Sequence, residues 1–273
     1  MASSNPAFNN SPAFSSRAST AAKLQPTPAV KTEGMTAQQL TELYSRPSAT
    51  SVETDRMSYE DVLVKIAVSF AILLGGAAVG WVFPVLALPA ALVGFVLALV
   101  NIFKKKPSPA LVLSYAAIEG VFVGGITSFF ELRYPGIAVQ AVLGTLVVVG
   151  VTLALFASGK VRASKKATKV FLIAMIGYGV FSLVNFGLIA FGVQKTMFGL
   201  RDFLILGIPL GVIIGVFVIL MAAYALVLDF DSIQTGVKRG APRIYGWTAA
   251  FGIMVTVVWL YLEILRLLAI LRR

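Results

Sequence analysis

The chain has 273 residues, and only 13% of them are Asp, Glu, Lys or Arg, against about 25% in ordinary soluble domains. Hydrophobic residues make up 58% of the chain, and its mean hydropathy is +0.88. A water-soluble protein of this size could not cover so much apolar surface with polar groups. The composition therefore excludes a soluble globular protein and predicts one that crosses a membrane several times.

Cysteine and histidine are both absent from the chain. Their absence excludes disulfides, thiolate nucleophiles, the usual zinc and haem ligands, and any catalytic pair that needs a histidine base. We therefore expect no enzyme activity and no cofactor. An intramembrane aspartyl protease is a distant alternative, because Asp229 lies in a Leu-Asp-Phe-Asp context without the Gly-x-Gly-Asp motif that such enzymes carry.

Residues 1–56 differ in composition from the rest of the chain. They are rich in Ser, Ala, Thr, Pro and Asn and contain almost no large aliphatic side chains. Such a segment buries too little apolar surface to fold, so we predict a disordered tail. Two near-repeats ending at Phe8 and Phe14 are candidate contacts with a partner or the bilayer. The first 20 residues contain no apolar run typical of a cleavable secretory signal, so we expect the N-terminus to stay in the cytoplasm.

From Ser58 onward, apolar segments follow one another closely, and Ser58 with Glu60 and Asp61 is typical of a capped helix start. Each segment has about the 20 residues that a helix needs to cross a bilayer, and none alternates in the manner of a barrel strand. We predict seven transmembrane helices at residues 62–83, 86–103, 109–130, 136–158, 168–191, 203–228 and 246–270. The predicted domains are thus the tail, 1–56, and a seven-helix transmembrane domain, 57–273.

The basic residues between the predicted helices are concentrated at one end of the bundle. Eleven lie after the second, fourth and sixth helices: Lys104, Lys105, Lys106, Lys160, Arg162, Lys165, Lys166, Lys169, Lys238, Arg239 and Arg243. The opposite loops hold only Arg133, Lys195 and Arg201. The positive-inside rule then places the basic end in the cytoplasm and, after seven crossings, the C-terminus outside.

The same charge distribution accounts for most of the net charge of +11 without nucleic acid as a partner. Arg272 and Arg273 conflict with it, since they end the seventh helix on the predicted outer side. The alternative is a re-entrant seventh segment that returns both termini to the cytoplasm.

Four acidic residues lie within or at the end of predicted helices: Glu119, Asp229, Asp231 and Glu263. An ionisable group at membrane depth is costly unless it is paired or hydrated, so it indicates a functional site. Glu119 and Glu263 each lie about 15 Å from a helix end and could share a depth. We expect Asp229 to face the bundle and Asp231 to face water. Arg266, three residues after Glu263, is within reach of an ion pair that would tune the acids.

Two carboxylates that share one proton titrate as a coupled pair. Once both are ionised, their oxygens suit a hard cation such as Ca²⁺. Buried acids of this kind are the groups that a pH-sensitive cation path requires at minimum.

Three segments of the sequence carry a family resemblance. Tyr224-Ala-Leu-Val-Leu-Asp-Phe-Asp-Ser-Ile233 is similar to a sixth-span LYDxxxI pattern, and Trp259-Leu-Tyr-Leu-Glu-Ile-Leu-Arg-Leu-Leu268 to a seventh-span LYLDxxNLF pattern. The third-span run 115–127 adds support. With these motifs in this order, the chain resembles the transmembrane Bax-inhibitor-motif family, whose prokaryotic branch includes the YccA-like proteins. Its tail resembles that of actinobacterial members.

The resemblance implies two three-helix layers around a central seventh helix. It also implies a pH-sensitive Ca²⁺ leak of the plasma (inner) membrane, gated by an acid pair at Asp229 and Glu263 that could bind Ca²⁺. Here Glu263 stands where the family has Asp, and Arg266 where it has Asn. The two acids are 34 positions apart in the chain, and they meet only if the sixth helix continues towards Thr235 and the seventh begins beyond the bilayer. Otherwise Glu119 with Glu263 is the substitute pair.

A second function stays open, that of a non-conducting regulator that binds another membrane protein, such as a quality-control protease, through the tail. The expected partners are the lipid bilayer and such a protein or, for a leak, Ca²⁺ or H⁺.

Overall fold

The structure is a computed structural model that describes Thr36, Gln38 and residues 55–273. The predicted tail, 1–56, lies almost entirely outside these residues. The described chain contains seven helices that are long and apolar enough to cross a membrane, which confirms the predicted number. They are α1 (Tyr59–Val82), α2 (Ala87–Phe103), α3 (Pro109–Arg133), α4 (Ile137–Ala157), α5 (Lys165–Ala190), α6 (Leu210–Lys238) and α7 (Gly246–Leu271).

The first helix begins where its capping residues predict. The Ser58 hydroxyl accepts a hydrogen bond from the backbone N–H of Asp61 at 3.2 Å, and the acids of the first turn face the positive end of the helix dipole. Ser164 caps α5 in the same way, with the backbone N–H of Ala167 at 3.2 Å.

The helices form two layers with α7 between them. In the first layer α1 and α2 both pack on α3, and in the second layer α4 and α5 both contact α6. The seventh helix contacts α1, α3, α4 and α6. It is also the most deeply buried helix. In its most apolar stretch of 18 residues 61% of the residues are buried, whereas in α5 the corresponding share is 6%. The predicted arrangement around a central C-terminal helix is confirmed.

Glycines bring α1 and α3 into backbone contact. A Cβ atom added to Gly76, Gly80, Gly120 or Gly124 would overlap a backbone carbonyl of the facing helix. Close approach of this kind depends on small residues at four-residue spacing. These two helices are therefore the most tightly joined pair of the first layer.

The sixth helix differs from its prediction at both ends. Residues 203–209 are not helical, because β1 (Leu204–Ile205) and β2 (Ile208–Pro209) form an antiparallel pair whose turn places Gly207 at a φ of 81°. The helix then runs on to Lys238. Two residues later, Gly240 has a φ of 64°, the left-handed conformation that stops a helix. Hydropathy alone does not separate an apolar hairpin from an apolar helix.

The seventh helix is one uninterrupted helix of 26 residues, about 39 Å long. It contains no break at which a re-entrant segment could turn back. At its start the loop between α6 and α7 is joined to the chain before α1 by backbone hydrogen bonds. Met57 N–H donates to the Ala241 carbonyl at 2.7 Å, and Arg243 N–H donates to the Asp55 carbonyl at 2.9 Å.

Candidate functional site

Asp229 of α6 is a buried carboxylate against the central helix. Its side chain is 1% exposed, and Oδ2 accepts a hydrogen bond from the Thr256 hydroxyl of α7 at 2.6 Å. Asp231, two residues further along α6, is half-buried. Since burying a charge is costly unless it is hydrogen-bonded, the Thr256 hydroxyl stabilises Asp229 at this depth.

Glu263 of α7 is a second buried carboxylate, 2% exposed. Its Oε1 accepts hydrogen bonds from Arg266 Nη1 at 2.7 Å and from the Tyr178 hydroxyl of α5. Its Oε2 lies 3.9 Å from Arg201 Nη1. The ion pair between Glu263 and Arg266 therefore forms, and two further groups join it.

Arg201 reaches Glu263 from outside the helices. It lies in the short 3₁₀ helix Gly199–Asp202 between α5 and α6, yet it is only 4% exposed. Its Nη2 donates to the Tyr178 hydroxyl at 3.0 Å and to the Ser182 hydroxyl at 3.3 Å. The guanidinium also lies over the rings of Tyr178 and Phe181, at 5.5 and 5.6 Å from their centroids.

Together, Tyr178, Arg201, Glu263 and Arg266 make up what we call the Glu263 cluster. Its centre is the Tyr178 hydroxyl, which donates to Glu263 and accepts from both arginines, Arg266 Nη1 being 3.0 Å away. The cluster places two guanidinium groups around one carboxylate. It thus carries an excess positive charge in the interior of the bundle.

Asp229 and Glu263 have hydrogen-bond partners at two different levels of α7. Each carboxylate has its own partners, and Thr256, which binds Asp229, lies seven residues before Glu263 on α7. That spacing is about 10 Å along the helix axis. The described residues also contain no group of three or more acidic side chains that could hold a metal ion.

Glu119, the other acid of the predicted substitute pair, lies against a different helix. Glu119 of α3 is half-buried against α2, where its Oε2 lies 3.0 Å from the position that a Cβ on Gly94 would take. The partners of Glu263 come instead from α5, from α7 and from the segment before α6. The three acids therefore occupy three separate places around the bundle.

The basic end of α7 carries its own ion-pair cluster. Lys65, which is only 8% exposed, donates to Asp61 and, at 2.6 Å, to the backbone carbonyl of Arg243. Arg243 Nε donates to Asp61 Oδ1 at 2.7 Å. These bonds attach the start of α7 to α1.

The two terminal arginines, which conflict with the charge rule, hold loops at the opposite end. Arg272 donates to the carbonyl of Pro135 at 2.9 Å and to Gln140 Oε1 at 2.7 Å. Arg273 forms an ion pair with Asp202. Both arginines thus join the end of α7 to the segments that precede α4 and α6 or begin α4.

Three of these residues escape sequence reasoning. Arg201 directly precedes Asp202 in the sequence, which suggests an ion pair between these neighbours at the surface. In the structure Asp202 pairs with Arg273 instead, and the Arg201 side chain points inward to Glu263. Tyr178 and Thr256 are ordinary residues of apolar helices. Nothing in the sequence marks their hydroxyls as partners of carboxylates on other helices.

A bundle of seven apolar helices, with buried carboxylates against its central helix, defines a multi-pass α-helical membrane protein. Residues 5–273 match the family model described as Bax inhibitor 1 like. The chain belongs to this family, as its third-, sixth- and seventh-helix motifs predict. Neither a curated protein nor a solved structure matches the chain.

Proposed function

We propose that the protein is a gated cation leak in which Asp229 and Glu263 are the acidic groups that a cation meets on its way through the bundle. The observation that carries this proposal is the burial of two carboxylates, Asp229 against the central helix and Glu263 on it, at 1% and 2% exposure. Charges at membrane depth are expensive and mark ion paths by default. The two acids act at two depths along α7 rather than as one pair.

Carboxylate oxygens are the ligands that Ca²⁺ prefers, and family resemblance favours Ca²⁺ over H⁺ as the permeant ion. Protonation of Asp229 or Glu263 removes the charge that stabilises a cation in a low-dielectric interior. We therefore expect the flux to fall as the pH falls. Arg266 tunes this response, because its guanidinium is bonded to the Glu263 carboxylate.

The described conformation fits a closed state. Asp229 is bonded to Thr256, and Glu263 is bonded to Tyr178 and Arg266. A permeant cation would have to displace these partners before it could use either carboxylate. Opening therefore requires the release of contacts that now hold these carboxylates.

Family resemblance favours the plasma (inner) membrane as the location, and the charge asymmetry of the loops supports an orientation with the basic end and the N-terminus in the cytoplasm and the C-terminus outside. Because the chain has no cysteine, single cysteines report this directly. In intact cells, a membrane-impermeant maleimide should label Arg133→Cys and spare Lys106→Cys. The reverse pattern would contradict the orientation.

The leak is tested with the purified protein in liposomes that contain a Ca²⁺ dye. We expect a pH-dependent flux in the wild type, a strongly reduced flux in Asp229→Asn and Glu263→Gln, and wild-type flux in the control Glu60→Gln, whose side chain is exposed at the start of α1. Absence of flux in the wild type, or flux unaffected by both core substitutions, would sink the proposal.

The second candidate is a regulator that binds another membrane protein through its tail. It is favoured by the backbone hydrogen bonds that join residues 55–57 to the loop just before α7, since a partner on the tail would act on the segment that leads into the central helix. Deleting residues 1–54 separates the two functions. A leak keeps its flux after the deletion, whereas a regulator loses a membrane partner in co-purification.

A further inference from the structure

Residues 196–203, which we call the strap, connect α5 to α6 and bend back into the bundle. Asn185 of α5 holds the strap by two hydrogen bonds, donating to the Phe198 carbonyl at 3.2 Å and accepting from the Leu200 N–H at 2.7 Å. Phe198 is 6% exposed and stacks on Phe130 of α3 with 6.4 Å between ring centroids. The strap is thus packed against two helices of different layers.

The strap carries Arg201 well below the end of α5. The two hydroxyls that Arg201 binds belong to Ser182 and Tyr178, eight and twelve residues before Ala190 at the end of this helix. These spacings correspond to about 12 and 18 Å along the axis. Irregular backbone near membrane depth is tolerated only where protein covers it or where it lines a water-filled cavity. The middle of the strap, with Phe198 and Arg201, therefore lies in the interior of the bundle, whereas Met197 and Phe203 at its sides are exposed.

The contact between Arg201 and Glu263 is close but incomplete. Arg201 Nη1 and Glu263 Oε2 face each other at 3.9 Å, and both atoms are buried without a hydrogen-bond partner among the described residues. Glu263 is already paired with Arg266 through its other oxygen. The guanidinium of Arg201 thus stands beside the remaining carboxylate oxygen, where a mobile cation would bind.

We propose that Arg201 is a tethered cation that closes the path at Glu263, and that the path opens when the strap lifts away from α5. This inference rests on the proposed leak and adds its gate. Three independent sets of contacts hold the strap and Arg201 in place. They are Asn185 with the strap backbone, Arg201 with Tyr178 and Ser182, and Asp202 with Arg273. Release of any one of them loosens the guanidinium.

The first test compares Ca²⁺ flux in liposomes at one neutral pH. Because a hydrogen bond to a charged group is strong enough to shift an equilibrium about tenfold, Arg201→Gln should raise the flux about tenfold. The matched control is Arg133→Gln, an exposed base at the same end of the bundle, which should leave the flux unchanged. Arg201→Lys keeps the charge but loses the forked geometry, so its flux should lie between those of the wild type and Arg201→Gln.

The double variant tests whether Arg201 acts through Glu263. If it does, Arg201→Gln adds nothing once Glu263→Gln is present, and the double variant conducts like the single Glu263→Gln protein. An increase in flux from Arg201→Gln in both backgrounds would overturn the tether at Glu263.

A second readout does not depend on conduction. Leu200→Cys places a single thiol in the strap, and a membrane-impermeant maleimide measures how often the strap lifts. The labelling rate should rise about tenfold when Arg201→Gln is added, by the same loss of a charged hydrogen bond. Val193→Cys, an exposed site before the strap, should label at one rate in both backgrounds.

A reversible cross-link tests the opposite change, in which the strap is prevented from lifting. Asn185→Cys with Leu200→Cys pairs two positions whose side chain and backbone are in direct contact, so an oxidised pair fixes the strap to α5. We expect flux to be lost on oxidation and recovered on reduction. Unchanged flux in a fully cross-linked protein would overturn the gate.

The outcomes separate this inference from the leak itself. If the wild type conducts but Arg201→Gln changes neither flux nor Leu200→Cys labelling, the tether is wrong and the leak stands. If neither protein conducts, the leak is wrong, and the labelling rates alone decide whether Arg201 holds the strap.

Discussion

The two layers of the bundle are held together by opposite means. In the first layer, α1 and α3 meet through glycines, with no room for a side chain between their backbones. In the second layer, α5 buries only Phe171 and Asn185. Phe171 packs on Tyr224 of α6 with 5.6 Å between ring centroids, and polar groups of Arg201, Asn185 and Tyr178 make further connections. Backbone contact through glycine leaves no room for rearrangement, whereas a few hydrogen bonds can be exchanged one at a time. We therefore expect α1 with α3 to be the more rigid pair and α5 with the strap to be displaced more easily.

The largest expected effect comes from breaking the contact between α1 and α3. Gly124→Leu drives a side chain into the backbone of Ala77 and should lower the free energy of unfolding by about 3 kcal/mol or more, since overpacking is not relieved where backbones touch. Gly177→Leu on α5, where nothing lies within 4 Å of an added Cβ, is the matched control. Thermal unfolding in detergent should separate the two clearly. Equal melting temperatures would contradict the contrast between the layers.

The next largest loss of stability is expected from the side-chain hydrogen bonds that join α7 to each layer. Thr256→Val removes the donor to the Asp229 carboxylate and should destabilise the protein by about 2 kcal/mol. Thr127→Val removes a hydroxyl that lies 2.8 Å from the Tyr261 hydroxyl in the first layer, a bond between neutral groups worth about 1 kcal/mol. Chemical unfolding of both variants measures the difference. A larger loss in Thr127→Val would show that α7 depends more on the first layer.

A smaller local effect is expected at Asn185. Asn185→Ala leaves the Leu200 N–H without its acceptor, at a cost of about 1 to 2 kcal/mol. Because the loss falls on the strap, amide exchange of residues 196–203 should accelerate while that of α1 and α3 stays unchanged. Acceleration throughout the bundle would instead identify Asn185 as part of the general core.

The smallest effect belongs to the outer contacts of α7. Arg272→Gln removes exposed hydrogen bonds to Pro135 and Gln140 and should cost less than about 1 kcal/mol. The melting temperature should move by only a few degrees. A loss as large as that of Thr256→Val would place the end of α7 among the essential supports of the fold.

Much of the fold follows from sequence pattern, because hydropathy and helix caps are local properties. Seven helices and the start of α1 after Ser58 both follow from patterns along the chain. The start of the sixth helix does not, since residues 203–209 are as apolar as a helix but turn at Gly207. The difference lies in a backbone conformation that hydropathy does not report.

The candidate site is predicted less completely. Sequence reasoning finds Asp229, Glu263 and Arg266, because charges in apolar segments stand out and a three-residue spacing pairs them on a helix. It does not find Arg201, whose partner lies on another helix, because that contact depends on how the strap folds. The depth of Asp229 relative to Glu263 likewise depends on the register between α6 and α7, which arises from packing in three dimensions.

The hydrogen bonds of residues 55–57 have a topological consequence. They join backbone atoms of this segment to Ala241 and Arg243 in the loop that precedes α7, beside an antiparallel bridge between Arg56 and Pro242, whereas the far end of α7 is held by side chains of Arg272 and Arg273. The segment that enters the first helix and the segment that enters the last helix are therefore joined through backbone atoms at the basic end of the bundle. The first and last helices thus begin from one shared anchor, although α2 to α6 lie between them in the sequence.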